Sequence, residues 1–449
     1  MMTRNLAHWA LDLKTIPPAV RKAAVRSLYN YIGCAIGGSN HPTVTKAHSA
    51  LSRLFGNPTS SLLGTAGKAD ARHAALLNGI ASHVHDYDDT HLATIIHPTG
   101  PVASALLAYA ELQGTPLQGE DLLLALVAGM EASCKLGLAV WPEHYDIGWH
   151  ITGTTGVIGA AVGVGKLMRL TELELSHAIG IAATNVIGLR EMFGSDTKSF
   201  HPGQAAASGL MAALLARSGF TSSEQSLEAK RGWANVVAGG GAGASNLNPT
   251  LESLGRTWEV ELNAFKPFPC GIVCHPAIDA AIQCHEELLQ EGIEPSELQE
   301  VSLQVHPLVI ELTSKKYPRD GLEAKFSVYH GCAVGLLYGK AGPAQYENPV
   351  VTRPEVTKLR DRVKLTAKTS FNADEAHLRA THQSGDIEKH IVHAVGSLEV
   401  PMTDEQLERK FIDQVLPVLG EPRSMEVSNA AWILGEADDV LPILKQLSQ

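Results

Sequence analysis

The apolar residues of this chain recur at helical spacing over most of its first 265 positions. Apolar side chains return every three or four residues, as they do on one face of an α-helix. The segments with this pattern are residues 20–36, 71–84, 102–112, 120–140, 157–167, 172–187 and 204–217. Thr171 is the predicted N-cap of a helix that begins at Glu172, and Ser218-Gly219 is the predicted end of another helix. The pattern predicts a large helical domain over residues 1–265.

The helical pattern stops near residue 266, where Pro267, Pro269 and Pro276 interrupt the chain. Strand-like segments follow at residues 300–306, 363–367, 377–382 and 389–395, with a helical segment at 324–338 between them. After Pro401, helical spacing returns at residues 404–419 and 425–444. We therefore predict a mainly α protein with an α+β domain at residues 266–398, inserted before a C-terminal return to the helical domain at residues 399–449.

Composition excludes several classes of partner. The chain has 449 residues, 45% of them hydrophobic, and a net charge of −11 without a basic block, which disfavours a nucleic-acid partner. Its longest apolar run, residues 122–130, is too short to span a bilayer. Six scattered cysteines and an amphipathic N-terminal segment do not resemble a disulfide framework or a signal peptide. We expect a soluble intracellular protein with no membrane partner. The sequence does not distinguish the cytoplasm from the mitochondrion as its compartment.

Polar chemistry is concentrated in the segment His85–His91, HDYDDTH, and in the segment HPTG that begins at His97. Carboxylates and imidazoles are costly to desolvate and tend to persist where they bind or transfer protons. Because apolar helical runs flank the segment, we interpret it as one wall of a functional site. The alternative is a polar helix end whose carboxylates act as caps.

Other known patterns fit this segment poorly. The spacing Asp86-x-Asp88-x-Thr90 occurs in phosphatases, but there the first Asp follows a buried strand, whereas a helical run precedes it here. Metal binding by these aspartates with His85 and His91 uses suitable ligands in an unspecific pattern. The spacing of Cys270, Cys274 and His275 is loose for zinc. The glycine-rich run at residues 239–243 follows no strand and predicts a flexible loop, not a nucleotide site. We expect no metal and no cofactor.

Further polar islands interrupt the apolar segments. They contain His150 before a Gly/Ala-rich helix, Lys198 at another helix entry, Lys266 at the predicted domain boundary, and the segment 325–329, which ends at Tyr329. Each has a structural explanation when taken alone, such as a buried satisfied histidine or a lysine that reaches the surface. Together they supply ammonium groups for carboxylates, imidazoles for proton transfer and a phenol.

The ordered set of motifs resembles the MmgE/PrpD family. The motifs are DYDDT at 86–90, HPTG at 97–100, GWH at 148–150, TKSFHPG at 197–203, FPCG at 268–271, HPA at 275–277 and AKFSVY at 324–329. This family includes 2-methylcitrate dehydratases, cis-aconitate decarboxylases and an iminodisuccinate epimerase. The resemblance implies a large helical domain with a smaller α+β lid, a homodimer, and a cofactor-independent lyase for a di- or tricarboxylate.

The resemblance also implies the roles of individual residues. His97 is expected to be the main proton-transfer group, with a pKa raised by Asp86. His150 is expected to be the second proton-transfer group or to orient the substrate. Lys198 and Lys266 are expected to bind carboxylates, and Thr90 and Tyr329 to donate hydrogen bonds, with Tyr329 also a candidate proton carrier in catalysis. Closure of the lid would bring Lys266 and Tyr329 to the site and exclude water. Asp88 and Asp89 are predicted to be local structure.

Three activities and one non-catalytic function remain open at this point. Dehydration of 2-methylcitrate or citrate ranks first because of the breadth of the family. Decarboxylation of cis-aconitate to itaconate ranks second, and epimerisation of a dicarboxylate third. The alternative from another class is a helical binding protein that has lost its catalytic activity.

Overall fold

The computed structural model describes residues 1–240 and 243–448, and most of these residues are helical. Part of the predicted glycine-rich loop, Gly241 and Ala242, lies outside the described residues. The helices of the first part are α1 Met2–Asp12, α2 Pro18–Gly38, α3 Pro42–Leu51, α4 Ala71–His83, α5 Thr99–Gln113, α6 Gly119–Val140, α7 Glu143–Ile147, α8 Ile151–Leu167, α9 Glu172–Ala183, α10 Asp196–Arg217, α11 Trp233–Val237 and α12 Gly243–Glu252. The short strands in this part are β1 Ser60–Ser61, β2 Lys68–Ala69, β3 Thr90–His91 and β4 Asn263–Ala264.

The second part combines helices with a four-stranded sheet. Its strands are β5 Glu300–Val305, β6 Val363–Ala367, β7 Ala376–His382 and β8 Gly385–Ile391, in the order β6-β5-β7-β8. Its helices are α13 His275–Glu291, α14 Pro307–Thr313, α15 Gly321–Ala324, α16 Val328–Tyr338, α17 Asn348–Val351 and α18 Pro354–Arg362. The chain ends with α19 Asp404–Leu419, α20 Arg423–Ile433 and α21 Leu441–Leu447. The predicted mainly α fold with a smaller α+β part is confirmed.

The two largest hydrophobic cores among the described residues belong to different parts of the chain. The first contains side chains from Leu6 to Phe265 and, after the sheet, from Met402 to Leu447. The second contains side chains from Cys270 to Ala394. The domain boundaries at 265/266 and 398/399 stay a prediction about independent folding units. Helix α6 is long and apolar enough to cross a membrane, but 94% of its apolar window is buried inside the fold, as in the core helix of a globular protein.

The strand pattern predicted from sequence is displaced at one point. The last strand was expected at residues 389–395 and instead occupies Gly385–Ile391. Strands β7 and β8 form an antiparallel hairpin in which His382 pairs with Gly385. A loop of two residues leaves no room for the longer connection that the prediction assumed. Similarly, the helix expected at 324–338 is divided into α15 and α16, because Ser327 caps the start of α16 by accepting a hydrogen bond from His330 N.

Close contact between α4 and α10 sets the geometry of the helical part. A Cβ atom added at Gly203 would lie 2.4 Å from the carbonyl oxygen of Leu76, and one added at Gly79 would lie 2.6 Å from the Cα of Gly203. The absence of side chains at these positions lets the two backbones touch. This crossing brings the C-terminal end of α4, which carries His83, next to the first turn of α10, which carries Lys198.

Candidate active site

A small cavity lies where the helical part meets the second part of the chain. It has a volume of about 40 Å³. Its polar lining comes from five helical-part residues and from Lys266 and Thr313, while Phe193 and Phe326 contribute apolar aromatic rings. The five helical-part residues are Asp86, His97, Tyr145, His150 and Lys198. The structure thus brings five of the seven predicted site residues to one cavity.

Asp86 holds two buried lysines. Its Oδ1 accepts hydrogen bonds from Lys198 Nζ at 2.9 Å and Lys266 Nζ at 2.8 Å. Burial by itself raises the pKa of Asp86, but the two ammonium groups reverse this effect and hold that pKa well below its usual range. Asp86 also has φ of 51°, a left-handed conformation that is uncommon for a residue other than glycine. Two ammonium groups thus share one carboxylate oxygen beside the cavity.

The two lysines differ in how firmly they hold their protons. Burial lowers the pKa of Lys198, against the opposing effect of Asp86. For Lys266 the carboxylates of Asp86 and Asp88 outweigh burial, so its pKa is raised. Lys198 Nζ also lies 5.3 Å from the ring centre of Phe193, within the range of a cation–π interaction. Lys198 is therefore the better proton donor of the pair.

His83 connects Lys198 to a second carboxylate. Its Nδ1 donates to Asp88 Oδ2 at 2.7 Å, and its Nε2 lies 2.9 Å from Lys198 Nζ. Because an ammonium group can only donate, Nε2 must be the acceptor and His83 must be neutral with its proton on Nδ1. Burial lowers the pKa of His83, which agrees with this state. Asp88 is thus linked to Lys198 through His83, and its assignment to local structure stays a prediction.

His97 is held as a neutral imidazole. Its Nδ1 donates to the backbone oxygen of Asp89 at 2.8 Å, which leaves a lone pair on Nε2. Thr90 Oγ1 lies 3.3 Å from the same Nδ1. Burial lowers the pKa of His97 to about 3, although Asp88 opposes this shift. The expectation that a carboxylate raises this pKa is therefore wrong for the free protein, because the cost of burying a charge and the nearby lysines dominate.

His150 pairs with a histidine that sequence reasoning missed. Its Nδ1 lies 2.9 Å from Nδ1 of His201, so one of the two nitrogens carries the proton that the other accepts. Burial lowers the pKa of His150 well below the usual value. The His150 ring centre lies 5.9 Å from that of His83 and 6.4 Å from that of His97. Of these imidazoles, His97 and His150 line the cavity.

Two predicted residues stand apart from the cavity lining. Thr90 is fully buried in strand β3, which pairs with β4. Its Oγ1 lies 3.3 Å from His97 Nδ1. Tyr329 is half-buried, with its ring centre 5.5 Å from Lys316 Nζ, and is not among the residues that line the cavity. The roles of both as donors to a substrate stay predictions.

The residues that sequence reasoning missed had weak signals. His83 lies inside a run that reads as apolar helix, although His83-Val84-His85 is a pair of histidines separated by one residue, whereas His201 lies in the motif at 197–203 and was not selected as a site residue. Lys325 is also buried, and its Nζ donates to the backbone oxygen of His85 at 2.8 Å and of Pro269 at 3.3 Å. It therefore ties the polar segment of the helical part to the second part of the chain.

The buried histidines and aspartates were also considered as metal ligands. Donor atoms of His83, Asp86, Asp88 and His97 lie within 4.8 Å of one another. However, Lys198 Nζ already occupies the space between His83 Nε2 and Asp86 Oδ1, at 2.9 Å from each. A divalent cation would have to displace this ammonium group. The arrangement suits an anionic ligand better than a metal ion.

Two family models match the chain. The model of the MmgE/PrpD N-terminal domain matches residues 4–244, and that of the MmgE/PrpD C-terminal domain matches residues 268–434. The chain belongs to the MmgE/PrpD family. The resemblance drawn from the sequence motifs is thereby confirmed.

Named MmgE/PrpD relatives fall into two groups. Cis-aconitate decarboxylase of Aspergillus terreus (strain NIH 2624 / FGSC A1156) is 26% identical over 100% of this chain and 96% of its own length. The human enzyme of the same name is 29% identical over 81% of this chain and 77% of its own length. 2-Methylcitrate dehydratase of Escherichia coli (strain K12) is 24% identical over 77% of this chain and 73% of its own length. Both names describe lyases, the class expected from the sequence.

Proposed function

We propose that this protein is a lyase that acts on a tricarboxylate, and that its reaction is the decarboxylation of cis-aconitate to itaconate. The observation that carries this proposal is the pair of buried ammonium groups on Asp86, placed beside the neutral imidazole of His97. Lys198 and Lys266 both donate to Asp86 Oδ1 and both line the cavity. Such a site binds carboxylates and offers a basic nitrogen next to them.

Decarboxylation ranks above dehydration for two reasons. Relatives named cis-aconitate decarboxylase are 25–29% identical over 81–100% of the chain, whereas those named 2-methylcitrate dehydratase are 24% identical over 77–82% of it. In addition, loss of CO₂ turns a charged carboxylate into a neutral molecule, which an apolar wall favours. The apolar wall consists of Ile95, Phe193, Ile272, Val273, Leu312 and Phe326.

The reaction requires one proton. The bond to the carboxyl group on the methylene carbon of cis-aconitate breaks, CO₂ leaves, and the electron pair shifts through the double bond to the carbon beside another carboxylate. Protonation of that carbon gives itaconate. Lys198 and Lys266 would stabilise the negative charge that spreads into the carboxylate. The trianion thus consumes one proton and yields a dianion and CO₂.

His97 would deliver this proton from Nε2. In the free protein its pKa is about 3, so it is neutral at pH 7. A bound trianion beside the ring favours the imidazolium form and raises this pKa. His97 would then take up a proton as the substrate binds and release it to the carbanion. His150, paired with His201, would orient the substrate or support this transfer.

Entry of the substrate requires an opening between the two parts of the chain. The cavity of about 40 Å³ holds a few water molecules and no tricarboxylate. Phe326 and Thr313 of the second part line it together with residues of the helical part. We therefore propose that the second part acts as a lid and that the described conformation is the closed one.

Dehydration of 2-methylcitrate is the second candidate. It needs the same carboxylate-binding lysines, a base for the proton α to a carboxylate, and an acid for the leaving hydroxyl group. The neutral His97 could act as the base, and Lys198, whose pKa is lowered, as the acid. The dehydratase names among the relatives favour it as the alternative.

Proton NMR of the purified protein with single substrates separates these proposals. Cis-aconitate, 2-methylcitrate and citrate are incubated separately, each with and without EDTA. Itaconate from cis-aconitate, with no effect of EDTA, is the expected result, and dehydration of 2-methylcitrate alone would favour the second candidate. Binding of all three without turnover would contradict both and support a catalytically lapsed binding protein.

A histidine pair provides the matched mutational control. His97→Ala should abolish turnover, because it removes the proton carrier. His285 also bonds a backbone oxygen through Nδ1, that of Leu336 at 2.7 Å, but lies on α13 outside the cavity lining. His285→Ala should keep near-normal turnover. Equal activity of the two variants would refute the role of His97.

A further inference from the structure

Asp88 lies between two histidines of the site and is bonded to one of them. Its Oδ2 accepts from His83 Nδ1 at 2.7 Å, while its Oδ1 lies 3.5 Å from His97 Nδ1. Asp88 is 1% exposed, and among the described residues Oδ1 receives no hydrogen bond. A buried polar atom without a partner costs about 1–3 kcal/mol. The position of this oxygen beside His97 therefore requires a reason.

A positive charge on His97 would provide that reason. Nδ1 already donates to the backbone oxygen of Asp89, so a proton gained during the reaction arrives on Nε2 and makes the ring an imidazolium. Burial, Lys198 and Lys266 all disfavour this charged form. The carboxylate of Asp88 opposes them from the far side of the ring. The unpaired oxygen is thus placed where the transient charge develops.

The other oxygen of Asp88 acts on the substrate-binding lysine. It fixes the proton of His83 on Nδ1, which leaves Nε2 as the acceptor for Lys198 Nζ at 2.9 Å. Without this bond His83 could carry its proton on Nε2, where it would point at an ammonium group. Asp88 therefore determines the tautomer on which the position of Lys198 depends.

We propose that Asp88 is a positioning residue that serves both halves of the site. One oxygen stabilises the charged form of His97, and the other holds Lys198 in place through His83. This inference rests on the proposed function, because His97 and Lys198 have these roles only if the site transfers a proton to a carboxylate-bearing substrate.

Asp88→Asn separates the two roles. The asparagine oxygen can still accept from His83, so Lys198 keeps its position and the KM for cis-aconitate should stay within about threefold. The charge beside His97 is lost, and kcat should fall at least about 100-fold, as when a carboxylate behind a catalytic histidine is removed. His83→Phe breaks the link to Lys198 and should raise the KM at least about tenfold.

A second Asp–His pair in the chain provides the control. Asp70 Oδ2 accepts from His73 Nδ1 at 2.6 Å at the opposite end of α4, outside the cavity. Asp70→Asn should leave kcat within about twofold of the unmodified protein. A kcat for Asp88→Asn within fivefold of the unmodified protein, or an equal loss in Asp70→Asn, would overturn the proposal.

A measurement without substrate distinguishes failure of this inference from failure of the proposed function. In the unmodified protein, ¹⁵N-histidine NMR should show His97 with its proton on Nδ1. In Asp88→Asn the amide NH₂ faces this N–H as a second donor, so part of the population should move to the Nε2–H form. An unchanged tautomer would overturn the role of Asp88. A tautomer shift in a protein that turns over none of the tricarboxylates would refute only the proposed function.

Discussion

Replacing Asp86 with asparagine removes the carboxylate that two buried lysines share, and its cost can be worked out from the structure. Lys198 and Lys266 are 7% and 1% exposed, so water cannot replace the lost charge. Breaking a buried ion pair by removing one partner costs about 3–5 kcal/mol. A lysine can instead lose its proton at pH 7, which limits the cost to about 5 kcal/mol for each group. We expect the free energy of unfolding to fall by about 3–5 kcal/mol.

The substitution isolates the charge from the backbone. Asp86 has φ of 51°, and asparagine tolerates this left-handed conformation, whereas alanine would add strain. The measurement is urea unfolding at pH 7 with and without citrate. Citrate should stabilise the variant more than the unmodified protein. Its negative charge replaces that of the lost carboxylate, so it binds the variant more tightly, and tighter binding to the folded state raises the free energy of unfolding.

A surface aspartate serves as the control. Asp196 Oδ2 accepts from Lys46 Nζ at 2.9 Å, but this lysine is largely exposed. Asp196→Asn should cost about 1 kcal/mol or less, because water screens the pair. A loss in Asp86→Asn no larger than in Asp196→Asn, or weaker stabilisation by citrate than in the unmodified protein, would refute the reasoning.

Three further outcomes are expected. Binding of citrate at pH 7 should take up about one proton, because the pKa of His97, about 3 in the free protein, rises beside a bound anion. The binding enthalpy measured by calorimetry should therefore change with the ionisation enthalpy of the buffer, and His97→Gln should abolish this dependence. Burial raises the pKa of Glu131 to about 8, above its value in the unfolded chain, so the contribution of Glu131 to stability falls as the pH rises from about 4.5 to 8. In urea unfolding, the free energy of unfolding of Glu131→Gln should equal that of the unmodified protein near pH 4 and exceed it at pH 8, by at most about 5 kcal/mol. Gly203→Ala should lower the free energy of unfolding by about 1–3 kcal/mol and also lower kcat, because the added methyl group pushes α4 and α10 apart and separates Lys198 from His83. An unchanged kcat in a destabilised variant would contradict the link between this helix crossing and the site.

The helices, the strands and the site motifs could be predicted to different depths. Strand β6 was predicted at its observed position, and β5 and β7 within one residue, since alternation of apolar residues depends on neighbours along the chain. Strand β8 was displaced because the turn signal Ser384-Gly385 after His382 was not used to start the strand. His83 was missed because it lies at the end of an apolar helical run, where a buried histidine resembles any other core residue.

The sequence by itself determined which chemical groups are present, in what order, and on which elements. It could not determine which carboxylate faces which cation. Asp86 bonds Lys198 and Lys266, which lie 112 and 180 residues further along the chain, while Asp88, two residues away, turns to His83. These pairings depend on the left-handed backbone at Asp86, the crossing of α4 and α10, and the pairing of β3 with β4. Local patterns report periodicity, whereas the charge and proton state of a buried group depend on neighbours that only the tertiary fold brings together.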